Sequence, residues 1–151
     1  MENYTLTLGE ILDLEIEING LINNETGEVI YEGFRKQNLN ILLKYDINEF
    51  GDKLKNEVKL INEIRDELVK KHGKDDDGKI FVQMYDVEKD DKGNIISQKF
   101  TQSFIDFQTE YNTLLDSKTK EFQVPTITKE DLKNAGQTKD DYRVLFKVIK
   151  K

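Results

Sequence analysis

The chain has 151 residues, of which 36% are hydrophobic and 35% charged, and its formal net charge is −7. It contains no cysteine, which excludes disulfides, thiol nucleophiles, iron–sulfur clusters and cysteine zinc sites. No apolar run approaches the roughly 18 residues of a membrane span, and the first residues lack the basic and apolar regions of a secretion signal. We therefore expect one soluble domain over 1–151.

The acidic excess lies in the segment 1–34, which contains no Lys or Arg. Its eight acids form the candidate interaction face: Glu2, Glu10, Asp13, Glu15, Glu17, Glu25, Glu28 and Glu32. The last ten residues, "YRVLFKVIKK", contain four bases and no acid. The acidic head and the basic tail can pair within one molecule or between neighbours, and a merely solvated acidic surface is the alternative.

The first predicted helix follows Thr7, which has the spacing of a capping box with Glu10. Apolar positions in "LTLGEILDLEIEI" then follow a helical period as far as Asn19–Gly20, although the alternation at the end of this stretch also fits a strand. The next stretch, "LINNETGEVIYEGF", has two short apolar pieces around a turn. It predicts a small hairpin or an ordered loop.

A long amphipathic helix is predicted over about 41–72. Its apolar residues recur at steps of three and four, as in a coiled-coil seam: Ile47, Phe50, Leu54, Val58, Ile61, Ile64 and Leu68. Gly51 is a weak point in this pattern, because an interior glycine costs about 1 kcal/mol relative to alanine. The start remains open between Leu39 and the residue after Asp46.

The second half of the chain mixes strands and helices. "KIFVQMYDV" and "NIISQKF" flank a turn sequence and predict one β-hairpin over about 79–100. Ser103 and Asp106 have capping-box spacing and start a helix over about 103–116. In the C-terminal part, 120–151, an extended segment around the single proline precedes two short helices that begin at Thr128 and Thr138.

The stretch "KKHGKDDDGKI" looks like a metal loop, but its spacing is wrong. A calcium loop with Gly78 at position 6 has Gly73 at position 1 and Met84 at position 12, where carboxylates are required. His72 has no second His or Cys to complete a transition-metal set. We interpret the stretch as a helix end with Gly73 as a left-handed cap, and leave open a weak ion contact at Asp75–Asp77.

The sequence also lacks the residues required for other kinds of functional site. A loop around Gly93 fails the calcium test because Lys99 stands at position 12. There is no Gly-x-Ser-x-Gly elbow and no phosphate-binding Gly-Lys-Ser/Thr sequence. The carboxylate pairs Asp90–Asp91 and Asp140–Asp141 stand at predicted turns or helix starts. We therefore predict no enzyme activity, no cofactor, no metal and no small-molecule substrate, and the interleaved charges disfavour nucleic-acid binding.

Three segments carry a resemblance to a known group of proteins. They are "LGEILDLEIEINGLI", "IRDELVKKHGKDDDGKI" and "FIDFQTEYNTLLDSKTKEFQVPTI", and together they cover most of the chain between residues 8 and 127. Their order resembles that in small uncharacterised proteins of tailed bacteriophages, including the crAss-like group. The resemblance implies a phage protein that acts by contact in the host cytoplasm, in or around the virion. It implies no functional residues.

These observations predict an α+β, mainly helical fold. The long helix is expected to pack antiparallel against the first helix and the 103–116 helix, as a helical hairpin or bundle from which the β-hairpin projects. The predicted function is a non-enzymatic structural or interaction protein of the phage virion or its assembly, with other phage structural proteins or itself as partner. The alternatives are an acidic inhibitor of a host protein, such as a DNA mimic or anti-defence protein, and, last, a hydrolase built on carboxylates.

Overall fold

The computed structural model describes residues 1–137 and 141–150. The fold is α+β, as predicted, with one long helix and small β-hairpins. The chain divides into two compact units, each described by itself below. Unit 1 comprises Met1–Lys59 and Asp116–Lys151, and unit 2 comprises Leu60–Leu115. The expectation of one domain over 1–151 stays a prediction.

The elements follow one another along the chain, with a 3-10 turn at Phe34–Lys36. The helices are α1 (Leu8–Asn19), α2 (Ile41–His72), α3 (Gln102–Ser117), α4 (Lys129–Asn134) and α5 (Leu145–Val148). The strands are β1 (Glu2–Thr7), β2 (Leu21–Ile22), β3 (Val29–Tyr31), β4 (Lys74–Asp76), β5 (Lys79–Phe81), β6 (Tyr85–Lys89), β7 (Ile95–Phe100), β8 (Thr119–Val124), β9 (Ile127–Thr128) and β10 (Ile149–Lys150).

Helix α1 begins with the predicted capping box. The Thr7 hydroxyl accepts a hydrogen bond from the Glu10 N–H at 3.1 Å, and the Glu10 carboxylate accepts one from the Thr7 N–H at 3.0 Å. The helix ends before Gly20, whose φ of 84° favours glycine. Its inner face is fully buried at Ile11, Leu14 and Ile18. The helical interpretation is confirmed, and the strand alternative is wrong because this burial follows a helical period.

Strand β1 precedes α1 and was not predicted. It pairs antiparallel with β8, from Glu2 opposite Val124 to Thr7 opposite Thr119. One face of the pair is buried at Leu6, Phe122 and Val124. The segment around the proline is extended as expected, and its alternating apolar residues match those of β1.

Helix α2 spans the predicted range, and its start is marked by the Asn40 side chain, which accepts the Leu43 N–H at 3.0 Å. The predicted seam is buried over only part of its length. Ile47, Phe50, Leu54 and Ile61 are buried, Val58 and Leu68 are half-buried, and Ile64 is exposed.

Gly51 is explained by the approach of α1 to α2. A Cβ built on Gly51 would lie 2.6 Å from the Asn19 amide oxygen, which is too close. That amide donates to the Gly51 carbonyl at 3.0 Å and accepts from the Arg35 guanidinium at 2.8 Å. Arg35 also donates to Asn48 at 3.0 Å and lies 3.0 Å from Asp52. The glycine therefore makes room for a polar network.

The predicted single hairpin over 79–100 is two hairpins in unit 2. Strand β5 pairs with β4, and β6 pairs with β7. The first turn is at Asp77 and Gly78, with φ of 51° and 84°, as in the tight turns that favour Asp-Gly. This turn chemistry allows the aspartate run itself to form a strand.

Gly73 is not the left-handed cap that the sequence suggested, because its φ is not in the positive region. Its N–H continues the helical pattern and donates to the Val69 carbonyl at 2.7 Å. A Cβ at Gly73 would lie 2.8 Å from Ile80 and 2.9 Å from the Phe81 carbonyl oxygen. The glycine is required because β5 comes close to the helix end.

Helix α3 starts one residue before the predicted range, and the capping box between Ser103 and Asp106 is wrong. Thr101 is the cap, since its hydroxyl accepts the Phe104 N–H at 3.1 Å. The Asp106 carboxylate accepts instead from the Gln102 side chain at 2.8 Å. Thr101 is buried, and its own hydroxyl donates to the Gln83 carbonyl, so the threonine joins strand and helix.

The C-terminal segment of unit 1 contains the predicted capping box of Thr128 and Asp131, which starts α4. The predicted start of the last helix at Thr138 lies outside the described residues. Residues 141–144 are not α-helical, and α5 begins only at Leu145. Strands β9 and β10 pair in parallel.

Candidate functional site

Three acids of the candidate face lie on one side of α1 and contact the C-terminal segment. Glu10, Asp13 and Glu17 are spaced for one helical face. The Glu10 carboxylate is paired with the Lys147 ammonium, and the Asp13 carboxylate with the Arg143 guanidinium. This part of the acidic head therefore pairs with the basic tail within one molecule.

Glu17 accepts three backbone hydrogen bonds from the start of α5. Its carboxylate oxygens accept the N–H of Arg143 at 2.5 Å, of Val144 at 3.0 Å and of Leu145 at 2.7 Å. Amides at a helix start have no partner within their own helix, and a carboxylate also complements the positive end of the helix dipole. Glu17 therefore caps α5 from another element, which explains why α5 begins at Leu145.

The pKa of Glu10 is lowered from its ordinary value, chiefly by the hydrogen bond from Lys147 and then by the Thr7 N–H. A carboxylate held ionised in this way is poorly suited to donate a proton near neutral pH. The Glu10 carboxylate is therefore suited to a structural role, as the partner of Lys147 and of the Thr7 N–H.

A cavity of about 470 Å³ opens beside Glu17 in unit 1. Its lining residues are Ile16, Glu17, Tyr31, Asp141, Tyr142 and Arg143. Burial raises the pKa of Tyr142, and neighbouring Tyr31 adds to this shift. The pKa of Tyr31 is also raised, again chiefly by burial. Both phenols are thus neutral over the physiological range, and neither is activated as a base or nucleophile.

Two further acids of the candidate face accept hydrogen bonds from side chains that are near them in the sequence. The Glu15 carboxylate accepts from the Asn19 amide at 3.1 Å. The Glu2 carboxylate accepts from the Tyr4 hydroxyl at 2.9 Å, and this bond is the main reason why the pKa of Tyr4 is raised. These contacts give both carboxylates local roles.

The remaining acids, Glu25, Glu28 and Glu32, belong to or follow the β2–β3 hairpin and are exposed. None of the three side chains forms an ion pair with a described residue. Three large apolar side chains of the same hairpin, Ile22, Val29 and Ile30, are more than half exposed. The structure thus separates the eight acids into an internally bonded group and this open group.

The histidine of "KKHGKDDDGKI" lies in unit 2, at the end of α2. Its Nε2 atom is buried and lies 3.2 Å from the Glu110 carboxylate, without the alignment of a directed hydrogen bond. Lys71 donates to the same carboxylate at 2.6 Å, and the pKa of Glu110 is lowered by Lys71 and then by His72. Lys71 and His72 therefore both link the end of α2 to α3 through Glu110.

Side chains that could bind a metal ion do not cluster in residues 1–137 and 141–150. These residues contain no group of three or more His, Asp or Glu side chains placed to bind a metal ion. The Asp75 carboxylate accepts the Gly78 N–H at 2.9 Å within the β4–β5 turn. Backbone and side-chain hydrogen bonds from Asn94 lower the pKa of Asp90 in the β6–β7 turn. Asp75 and Asp90, which the sequence offered as candidates for metal binding or catalysis, therefore stabilise turns by accepting hydrogen bonds.

Unit 2 buries very little. Only Ile61, Thr101 and Phe104 are buried. Eleven large apolar side chains are between 38% and 66% exposed: Leu60, Ile64, Ile80, Phe81, Met84, Tyr85, Val87, Ile95, Ile96, Phe100 and Ile105. Most of them lie on or beside the two hairpins. Sequence reasoning missed this surface, although strict alternation in "YDVEK" was a signal of a strand with one apolar face.

Comparisons with protein-family models, curated proteins and solved structures find no match to this chain. The helices in the described part of the chain include none that is long and apolar enough to cross a membrane.

Proposed function

We propose that this chain is a non-enzymatic protein that acts by binding other proteins. The observation that carries the proposal is the imbalance in unit 2, where three side chains are buried and eleven large apolar ones are exposed. Soluble monomers rarely leave apolar patches of this kind open, and such patches mark interaction sites. A two-stranded hairpin is also only marginally stable in water unless something covers its apolar face.

The β6–β7 hairpin is the proposed contact surface. Three of its apolar residues, Tyr85, Val87 and Phe100, point to one face, where Tyr85 stands opposite Phe100 and Val87 opposite Gln98. The Tyr85 and Phe100 rings stack with centroids 5.1 Å apart. Phe100 stacks in turn on Phe104 of α3, at 5.2 Å. The surface is therefore anchored to unit 2's small core, which fits a preformed binding site.

The proposal includes a helical hairpin in unit 2. Contacts from Lys71 and His72 to Glu110 hold the end of α2 against α3. In the proposed arrangement the two helices run antiparallel and the β6–β7 hairpin projects from them.

The biological setting is proposed from the resemblance of the three segments to small tailed-phage proteins. In this setting the chain acts in the host cytoplasm, as a component of the virion or an accessory of its assembly. Its partners are other phage structural proteins or further copies of itself. Membranes, nucleic acids and small-molecule substrates have no place in the proposal.

Mass spectrometry of purified particles and assembly intermediates tests this setting, using phage that encode the wild-type chain or Val87→Lys. We expect the wild-type chain in one of these fractions and at least a tenfold loss for the variant. Ser97→Lys adds the same charge to the opposite face of the hairpin and is expected to behave as wild type. Absence of the wild-type chain from every fraction would contradict the proposal.

A second candidate is an acidic inhibitor of a host protein, such as a DNA mimic or anti-defence protein. It is favoured by the open group of Glu25, Glu28 and Glu32 beside exposed apolar residues. Binding to a basic host protein would weaken strongly with salt and on replacing the three acids by glutamine. The control replaces three other exposed acids, Glu63, Glu67 and Glu130. Equal loss in both variants would reject this candidate.

A further inference from the structure

The β6–β7 hairpin has one apolar and one polar face, which limits what can bind it. On the polar face, Asp86 stands opposite Lys99 and Glu88 opposite Ser97. The apolar face presents Tyr85, Val87, Gln98 and Phe100, and next to the turn Lys89, its only charge, stands opposite Ile95. An occupant of the apolar face therefore meets uncharged surface along most of its length.

Both edges of the hairpin disfavour the addition of another strand. The register of β7 shifts at Ile96, and such bulges protect sheet edges from pairing. A two-fold pairing of β6 with its own copy through Val87 would place Asp86 opposite Glu88 of the other copy, with repulsion at both positions. The face, rather than either edge, is the surface open to a partner.

The two ends of this face have complementary chemistry. At one end, the stacked rings of Tyr85 and Phe100 are exposed by 38% and 50%. At the other end, two residues beyond Val87, is the ammonium of Lys89. A cation over an aromatic ring is attracted by the negative face of the ring. Because the Phe100 ring already stacks on both Tyr85 and Phe104, the ring left for such a contact is Tyr85. When two copies pack about a two-fold axis at Val87, each Lys89 meets Tyr85 of the other copy.

We propose, on the basis of the contact surface in the proposed function, that the partner of the β6–β7 face is a second copy of this chain. The two faces pack against each other about a two-fold axis near Val87, with Val87 against Val87 and Lys89 over the Tyr85 ring of the other copy. A five-residue strand covers only about 17 Å, which is small for an interface. The dimer is therefore weak, with a dissociation constant on the order of 10–100 µM.

Sedimentation equilibrium of the full chain, from a few micromolar to several hundred micromolar, tests this inference. We expect wild type to dimerise, Val87→Lys to weaken the dimer at least tenfold, and Ser97→Lys to change it less than twofold. Lys89→Glu replaces the cation without touching the hydrophobic contact and is expected to weaken the dimer several-fold. Circular dichroism establishes that each variant is folded, and Lys89→Glu decides the outcome if Val87→Lys is not.

A wild-type chain that stays monomeric over the whole range would overturn the inference, as would equal weakening by Val87→Lys and Ser97→Lys. These outcomes are separate from the test of the proposed function. A monomeric chain that is nevertheless present in purified particles would retain the protein-binding role and reject only the second copy as partner.

Discussion

Unit 1 has a buried apolar core, whereas unit 2 buries few of its apolar residues. In unit 1, helix α1 buries Ile11, Leu14 and Ile18 completely, and Phe34 beside it is fully buried as well. In unit 2, strands with equally apolar residues leave Ile95 and Ile96 more than 60% exposed. Burial of an aliphatic side chain contributes about 1.5–3 kcal/mol, so the two units differ greatly in the stability that their own cores supply.

The same contrast appears in their charges. Unit 1 bonds Glu10, Asp13 and Glu17 to its own C-terminal segment, which fixes that segment in place. In unit 2, the Lys71–Glu110 pair lies at the surface, where such a pair contributes little. The difference shows that unit 1 has a buried core tied together by its own charges, while most of the large apolar side chains of unit 2 stay exposed.

The largest expected effect compares two identical substitutions, one in each unit. Ile11→Ala removes a fully buried side chain and should lower the free energy of unfolding by about 3–4 kcal/mol. Ile96→Ala removes a side chain that is 66% exposed and should cost less than about 0.5 kcal/mol. Urea unfolding followed by circular dichroism measures both. Similar losses in the free energy of unfolding for the two variants would contradict the difference in burial between the two units.

The next effect concerns the cap that Glu17 supplies. Glu17→Ala leaves three amides at the start of α5 without their carboxylate and should cost about 2 kcal/mol in the free energy of unfolding. Glu15→Ala is the matched control, because it removes an acid from the same helix whose bond is to Asn19, and should cost less than about 0.5 kcal/mol. If the two variants unfolded at the same urea concentration, the hydrogen bonds of Glu17 to the start of α5 would contribute no more stability than the Glu15–Asn19 bond.

Gly51→Ala distinguishes helix propensity from packing. Propensity alone predicts that alanine stabilises α2 by about 1 kcal/mol. Since the new Cβ would lie 2.6 Å from the Asn19 oxygen, we instead expect a loss of about 1–2 kcal/mol. Asn56→Ala, on an exposed side of the same helix, should be neutral or slightly stabilising. A stabilised Gly51→Ala chain would show that the network around Asn19 adapts easily.

Local signals were sufficient for much of the fold. The capping boxes at Thr7 and Thr128 and the apolar period of α2 each depend on residues a few positions apart, so sequence alone located α1, α2 and α4. The partner of β1 could not be predicted, since β8 is more than a hundred residues away. The start of α5 depends on Glu17, which is equally distant in sequence.

The candidate site shows the same limit. Composition identified the acidic segment, but which of its carboxylates are bonded within the molecule depends on tertiary contacts. Glu17 caps a helix, whereas Glu25 has no ion pair with a described residue, and both look alike in sequence. The exposure of the β6–β7 face could not be predicted from the sequence for another reason. Alternating apolar residues normally indicate a buried sheet face, and only the structure reveals that little in unit 2 covers it.

The smallest expected effect is the pH dependence of the pair between Glu10 and Lys147. The pKa of Glu10 is lowered in the folded chain, below the value of 4.5 for an unperturbed Glu, so the unfolded chain binds more protons in the window just below 4.5. The stability that the pair contributes is therefore complete above the unfolded pKa and is lost as the pH falls through the folded one. Lys147→Ala should lower the free energy of unfolding at pH 7 by about 0.5 kcal/mol, because the lysine is largely exposed.

At an acidic pH below the folded pKa of Glu10, the difference between Lys147→Ala and wild type should shrink towards zero, since protonation of Glu10 removes the pair. Lys55→Ala makes the same charge change on an exposed part of α2 and should show no such convergence. Urea unfolding at the two pH values checks both variants. A Lys147→Ala effect of the same size at both would mean that the lysine acts through its alkyl chain rather than its charge. The charged contact between α1 and the C-terminal segment would then depend on Glu17 and Asp13.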